Sequence, residues 1–131
     1  VTGAELRREV SEAIDAIAAY GYQQRDAAVA RARETLERLD AEIDRQEARL
    51  RENWSEMSRE ARREAADSLA ELRRARNRLS ERLGEMRRGA ASAWDEITTG
   101  FVRAYDALER AWTRSEEAVP GGDGAAESTG N

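Results

Sequence analysis

A single proline, Pro120, occurs in 131 residues, and it stands almost at the end. Proline breaks a helix because it lacks the amide donor and clashes with the carbonyl four residues earlier. Its absence from residues 1–119 leaves that whole length free to be helical. The residues that fill it are mostly Ala, Arg, Glu and Leu, all good helix formers. Their order says how helices would meet. Leu36, Leu39, Ile43, Gln46 and Leu50 alternate by three and four, with Gln46 as a polar interruption. The pattern resumes in Ala65, Leu69, Leu72, Arg76, Leu79, Leu83 and Met86. Heptads of this kind form a seam against a facing helix.

Punctuation within the helix pattern is sparse. Thr2-Gly3-Ala4-Glu5 reads as a capping box, after which Val10, Ile14 and Ile17 share a face. Tyr20-Gly21-Tyr22 is expected to be a kink or a continuation, since no cap or proline follows it. Asn53-Trp54-Ser55 is the candidate first reversal, with Ser55 able to cap a new helix and an unbroken helix as the alternative. Gly84 and Gly89 bracket a second break, after which Ser92-Ala93-Trp94-Asp95 reads as a fresh capping box. Pairs such as Glu34–Arg38 and Glu47–Arg51 support helix from its surface. The predicted fold is all-α: two or three long helices in an antiparallel coiled coil or elongated bundle. It occupies residues 1–117, with breaks near 53–57 and 84–91. Residues 118–131, largely Gly, Ala and acidic side chains, are expected to be a disordered tail.

Composition limits the core. Hydrophobic residues make up 40% of the chain, but nearly half of them are Ala. Leu, Ile, Val and Phe fall short of the roughly 20% usual for a compact core. A self-sufficient monomer is therefore not expected, and a rod that shares its seam with itself or with another protein is. Charged residues reach 37% with a net charge of −5, which gives no support for nucleic-acid binding. Every basic residue is Arg, and there is no Cys or His. That removes thiol chemistry, the usual zinc sites and histidine-based proton transfer. No apolar run approaches the roughly 20 residues that span a bilayer, and no signal peptide is visible. A cytoplasmic location is expected. The chain begins at Val1, so export followed by cleavage into the periplasm stays open.

The functional hint lies in SAWDEITTGFVRAYDALERAW, residues 92–112. Trp94 and Tyr105 are 11 residues apart, and Trp94 and Trp112 are 18 apart. At about 100° per residue these steps end within about 20° of whole turns, so the three rings share one line. Ile97, Phe101 and Leu108 flank it. The wide apolar face has three readings: packing on the preceding helices, docking a partner or sister subunit, or facing lipid. Acidic residues outnumber Arg two to one on this segment, which disfavours anionic lipid. Trp94, Ile97, Phe101, Tyr105, Leu108 and Trp112 are the candidate partner-binding residues.

The paired AWDEI and AYDAL phrases, after a charged coil containing LDAEIDR, resemble a bacterial stress-response family of coiled-coil proteins. Members in cyanobacteria and proteobacteria end in repeated Ala-Trp-Asp-Glu-Leu motifs. The likeness covers roughly residues 27–112. The chain departs from the pattern in using Arg for every Lys, and in Thr98-Thr99 where charged residues are usual. The resemblance implies a stress-related coiled-coil protein and carries no chemistry with it. The repeats are also similar, by analogy, to exchangeable apolipoproteins and desiccation-protective helices.

Two further constellations have bland readings. Arg74, Arg78 and Arg82 form an i, i+4 stripe, but Glu71, Glu81 and Glu85 lie close by, so a salt-bridged face is expected in preference to phosphate binding. Carboxylates four apart, such as Asp40–Asp44 and Glu81–Glu85, lack the His that a di-iron bundle uses. No catalytic, cofactor or metal site is predicted. The expected function is that of a non-enzymatic structural or adaptor protein. The alternatives are a peripheral lipid-binding helical protein and an accessory subunit of a larger enzyme complex.

Overall fold

A computed structural model describes residues 3–121 of the chain. Four α-helices follow one another: α1 (Gly3–Ala19), α2 (Arg25–Asn53), α3 (Arg59–Arg88) and α4 (Trp94–Ala118). A short 3-10 turn precedes α2, α3 and α4, and no strand occurs among the described residues. Contacts across the helices define the arrangement. Asp40 meets Arg76 and Trp54 meets Arg62, so α2 and α3 run antiparallel. Glu71 meets Arg114 and Gly89 faces Ile97, which makes α3 and α4 antiparallel too. Arg7 reaches Glu116 while Tyr20 reaches Trp94, so α1 returns antiparallel to α4. Each helix thus packs on its neighbours in sequence, and α1 and α4 close the bundle. The contact between α3 and α4 is the most extensive of these.

The count of four, not two or three, comes from a full reversal at Tyr20-Gly21-Tyr22, where a kink or continuation is expected from sequence. The α1 ladder ends with the Tyr20 amide on the Ile17 carbonyl at 3.2 Å. Gly21 is extended (φ −83°, ψ 171°), and Tyr22–Gln24 form a single 3-10 turn. Periodicity does not reveal this break. Ile17 and Ala28 are 11 residues apart, so a straight helix would keep both on one stripe. The reversal is favoured because it buries Val10, Ile14 and Ile17, each at most 2% exposed, inside the same chain.

The other two reversals differ from expectation in their caps. α2 runs to Asn53, whose side chain donates to the Arg49 carbonyl at 2.8 Å. Ser58, not Ser55, caps α3: its hydroxyl accepts from the Ala61 amide at 3.1 Å. Gly84 stays within α3, and the break comes at Gly89 (φ −74°, ψ 153°). The N-cap of α4 is Ala93, and Ser92 makes no cap hydrogen bond, because the chain enters through a 3-10 turn at Ala91–Ala93. Thr2 of the expected first capping box lies outside the described residues.

Both heptad seams face inward. Leu36, Leu39, Ile43, Gln46 and Leu50 are buried on α2, and Leu69, Leu72, Leu79, Leu83 and Met86 on α3. Arg76 occupies its seam position half-buried, paired in bidentate fashion with Asp40 at 2.7 and 2.9 Å. Ala28, Ala32, Ala65, Ala75 and Ala111 are also in the core. They let the helix axes approach, and the rings of α4 fill the remaining volume. Residues 118–121, expected to belong to the disordered tail, are part of the folded structure. Ala118 closes α4, and Val119 is fully buried with its amide on the Ser115 carbonyl at 2.9 Å. Gly121, at φ 86°, lies against Asn53 and Arg49. The remainder of that tail, residues 122–131, lies outside the described residues.

The two glycines that bracket Met86-Arg87-Arg88 should respond oppositely to alanine. A Cβ at Gly89 would stand 2.0 Å from Ile97 Cδ1 and 2.8 Å from the Glu85 carbonyl oxygen. Overpacking of this kind costs about 1–3 kcal/mol. A Cβ at Gly84 meets only the mobile end of Arg88, at 3.2 Å, and alanine gains about 0.5–1 kcal/mol inside a helix. Urea melts of the two single variants should therefore shift in opposite directions. Equal shifts would contradict the placement of the break at Gly89.

Candidate interaction surfaces

The aromatic phrase lies in the chain's own core. Phe101, Leu108 and Trp112 are fully buried, Tyr105 is 2% exposed and Trp94 is 4% exposed. Ile97 is half-buried and packs beside Gly89. Five of the six residues singled out for partner binding are thus covered by α1, α2 and α3. Sequence spacing placed them on one line, but it cannot say what covers the line. Trp112, near the helix end, is as deeply buried as any residue in the protein.

Trp94 organises one end of the bundle. Its indole N–H donates to the Tyr20 carbonyl at 2.9 Å, taking up an acceptor that the end of α1 leaves without a helical partner. The Tyr22 ring meets the Trp94 ring edge-on, with centroids 5.9 Å apart. Arg25 then donates to the Tyr22 hydroxyl at 2.9 Å, and its guanidinium lies 5.0 Å from the ring centre.

A polar strip ties α1 to α4. The Arg7 guanidinium donates to the Thr113 hydroxyl at 3.1 Å and pairs with Glu116 at 2.9 Å. Two turns back, the Tyr105 hydroxyl donates to Glu109 at 3.2 Å. Burial, reinforced by the negative charge of Glu109, pushes the Tyr105 phenol far above its ordinary range.

A second polar cluster crosses the core between α2 and α4. Gln46, fully buried, donates to Glu42 at 3.1 Å, and the Ser115 hydroxyl donates to the Gln46 side-chain oxygen. Arg45 pairs with Glu42 at 3.0 Å, and Arg49 approaches it at 3.8 Å. Arg49 Nε and the Trp112 indole N–H are buried with no hydrogen-bond acceptor. A buried donor left unmatched costs about 1–3 kcal/mol.

At the opposite end of α2 from Trp94, one large apolar side chain faces solvent. Trp54, in the turn between α2 and α3, is 42% exposed. It is held in place: Arg62 donates to its carbonyl at 2.7 Å, and the Arg62 guanidinium lies 5.2 Å from the ring centre. From sequence Trp54 stands out only as part of the candidate reversal Asn53-Trp54-Ser55, because a lone Trp carries no periodicity.

The remaining surface is charged. Its grooves are open, lined by side chains such as Glu60, Glu64, Asp67 and Arg114 or Arg82, Glu85 and Glu96. On the arginine stripe Arg82 pairs with Glu85 at 3.1 Å, while Arg74 and Arg78 project into solvent. Among the described residues no group of three carboxylates gathers as a metal site, and no helix is long and apolar enough to cross a membrane. The chain matches no protein-family model, no curated protein and no solved structure.

The Tyr105 environment predicts a distinctive alkaline response. A phenol whose pKa is raised on folding favours the folded state below its unfolded value, near 10. That contribution is lost as pH climbs from there towards the folded value, because only the unfolded chain ionises. The slope is up to about 1.4 kcal/mol per pH unit. The chain has no Lys, so no lysine ammonium titrates across the same window. Chemical denaturation across that window should show falling stability in the wild type and a flatter profile in Tyr105→Phe. Parallel profiles would mean the phenol reaches water.

Proposed function

We propose that this chain is a non-enzymatic helical interaction protein that offers the turn between α2 and α3 to a protein partner. The observation that carries the reading is Trp54, the one large hydrophobic side chain exposed among the described residues. Trp and Arg are the residues most enriched where interfaces concentrate their binding energy. Here the two are stacked, and the carbonyl hydrogen bond from Arg62 fixes the turn beneath them. A ring already ordered loses little conformational freedom on docking. The rest of the apolar inventory supports the same view, because the α4 rings are spent within the bundle.

The stress-related role implied by the resemblance of AWDEI and AYDAL remains part of this proposal, and it rests on those residues alone. An adaptor and an accessory subunit of a larger complex would use the same contact. The lipid reading keeps one foothold. Trp54 with Arg62 and half-buried Met57 beside it would also suit a membrane surface, whereas the α4 face could reach lipid only if the bundle opened.

Paired substitutions test the proposal. Trp54→Ala should change stability by no more than about 0.5 kcal/mol, as at most surface positions. Trp112→Ala should cost about 3–5 kcal/mol, as for a buried large aromatic. Quantitative affinity purification from the native host, with wild type and Trp54→Ala as baits, should show specific partners lost from the variant. The expected loss is at least about thirty-fold, corresponding to about 2 kcal/mol for one anchor. Identical captures would overturn the reading. Flotation with vesicles that depends on Trp54, with no partner lost, would replace it by the lipid alternative.

A further inference from the structure

We propose that α1 exchanges between two copies of this chain, converting the closed monomer into a dimer in which α1 and α2 form one continuous helix. This proposal is separate from the contact at Trp54, which lies at the far end of α2.

Four observations meet at the joint between α1 and α2. First, the joint is helix-compatible. Gly21 has a negative φ of −83°, and a Cβ there would meet nothing within 4 Å. No side chain caps the start of α2 itself, and the turn before it is closed by the Gly21 amide donating to the Gln24 side-chain oxygen at 3.3 Å and the Gln24 amide to the Gly21 carbonyl at 2.9 Å. Second, the apolar stripe runs straight through it. Val10, Ile14, Ile17, Ala28, Ala32 and Leu36 would share one face of an unbroken helix over residues 3–53, roughly 75 Å long. Third, α1 is the lightly held helix. It has 17 residues, buries Val10, Ile14 and Ile17, and meets α2 and α4 far more sparsely than α3 meets α4. Fourth, the reversal depends on a specific latch, the Trp94 indole donating to the Tyr20 carbonyl at 2.9 Å with Tyr22 edge-on to the same ring.

These features define two competing states. In the closed monomer the latch satisfies the Tyr20 carbonyl and α1 folds back. In the open form Tyr20 to Gln24 become helical, and their backbone groups are satisfied within the ladder instead. A released α1 exposes Val10, Ile14 and Ile17 to water, so it must find another groove. The groove it leaves accepts aliphatic residues at i, i+4 and i+7, with Arg7 one turn earlier against Thr113 and Glu116. The α1 of a second copy carries that pattern identically. Exchange between two chains recreates every α1 contact and joins the bundles at their Trp94 ends about a two-fold axis. Such swapping through a short hinge is a low-cost route to a dimer.

The hinge can be biased both ways. Gly21→Ala removes the helix penalty of glycine, worth roughly five-fold per hinge and roughly twenty-five-fold per dimer. Gly21→Pro forbids the straight helix and tolerates the present φ, at the loss of the Gly21 amide hydrogen bond to Gln24. Trp94→Phe keeps a ring and deletes the donor of the latch. Size-exclusion chromatography with light scattering, over a wide concentration range, reads the state of each. The chain has no cysteine of its own, so Arg7→Cys with Thr113→Cys and a short bis-maleimide reports whether α1 sits on its own α4 or on another. The expected result is more dimer for Gly21→Ala and Trp94→Phe than for wild type, with the cross-link joining two chains. Gly21→Pro should be monomeric, with the cross-link inside one chain. Monomers for every variant at every concentration would overturn the proposal. So would dimers whose cross-links stay within a chain, or a dimeric Gly21→Pro.

Discussion

The fold depends on enclosing the aromatic ridge of α4. Alanine-rich helices offer little apolar area, and aliphatic side chains alone would leave the bundle with a thin core. Trp94, Phe101, Tyr105 and Trp112 supply the bulk that the other helices lack. A fully buried aromatic removes roughly 150–250 Å² from water, so four of them change the balance for a chain of this length. The alanines then become an advantage. Ala75 on α3 and Ala111 on α4 are both buried, and Gly89 brings the α3 end within contact of Ile97. Large rings and small residues fill space jointly where leucines on every face would not fit.

Polar contacts decide which helix sits beside which. Asp40–Arg76, Glu47–Arg73 and Glu71–Arg114 each join two helices across a solvent-accessible seam. Exposed pairs of this kind contribute about 0–1 kcal/mol each, so they add little stability. Their effect is on register, since each opposes a sliding of one helix past another. The buried cluster of Glu42, Gln46 and Ser115 acts in the same sense more strictly. A different pairing would take the Ser115 hydroxyl from the Gln46 side-chain oxygen and leave that acceptor unmatched in the core, at a cost of about 1–3 kcal/mol. Polar residues at seam positions commonly trade stability for a single arrangement.

These constraints also partition the surface. With the α4 face enclosed, the proposed contacts with other molecules lie at the two ends of α2. One end carries an exposed Trp fixed by a stacked Arg. The other carries a reversal tied to α4 by the Trp94 indole hydrogen bond and closed on itself by Gly21 and Gln24. In the proposed reading the first meets a partner and the second governs self-association, so the two contacts do not compete for the same residues.

Much of this was legible beforehand, residue by residue. The all-helical class followed from the missing proline, and the inward stripes on α2 and α3 followed from the heptads. The single line of Trp94, Tyr105 and Trp112 followed from steps of 11 and 18. These are local properties, set by 3.6 residues per turn and by backbone chemistry, so the order of residues suffices to determine them. The reversal at Gly21 was not legible, because the apolar stripe continues through it in phase. Neither was the cap on Ser58, nor the harmlessness of Gly84 beside the necessity of Gly89, nor the burial of Val119. Each depends on what stands opposite: an indole to take the Tyr20 carbonyl, an Ile97 methyl against Gly89, a gap at the bundle end for Val119. The sequence by itself determined that there would be helices and which faces would seek cover. Only the tertiary structure decided what covers them, because burial is a property of the pair of surfaces in contact and not of either one alone.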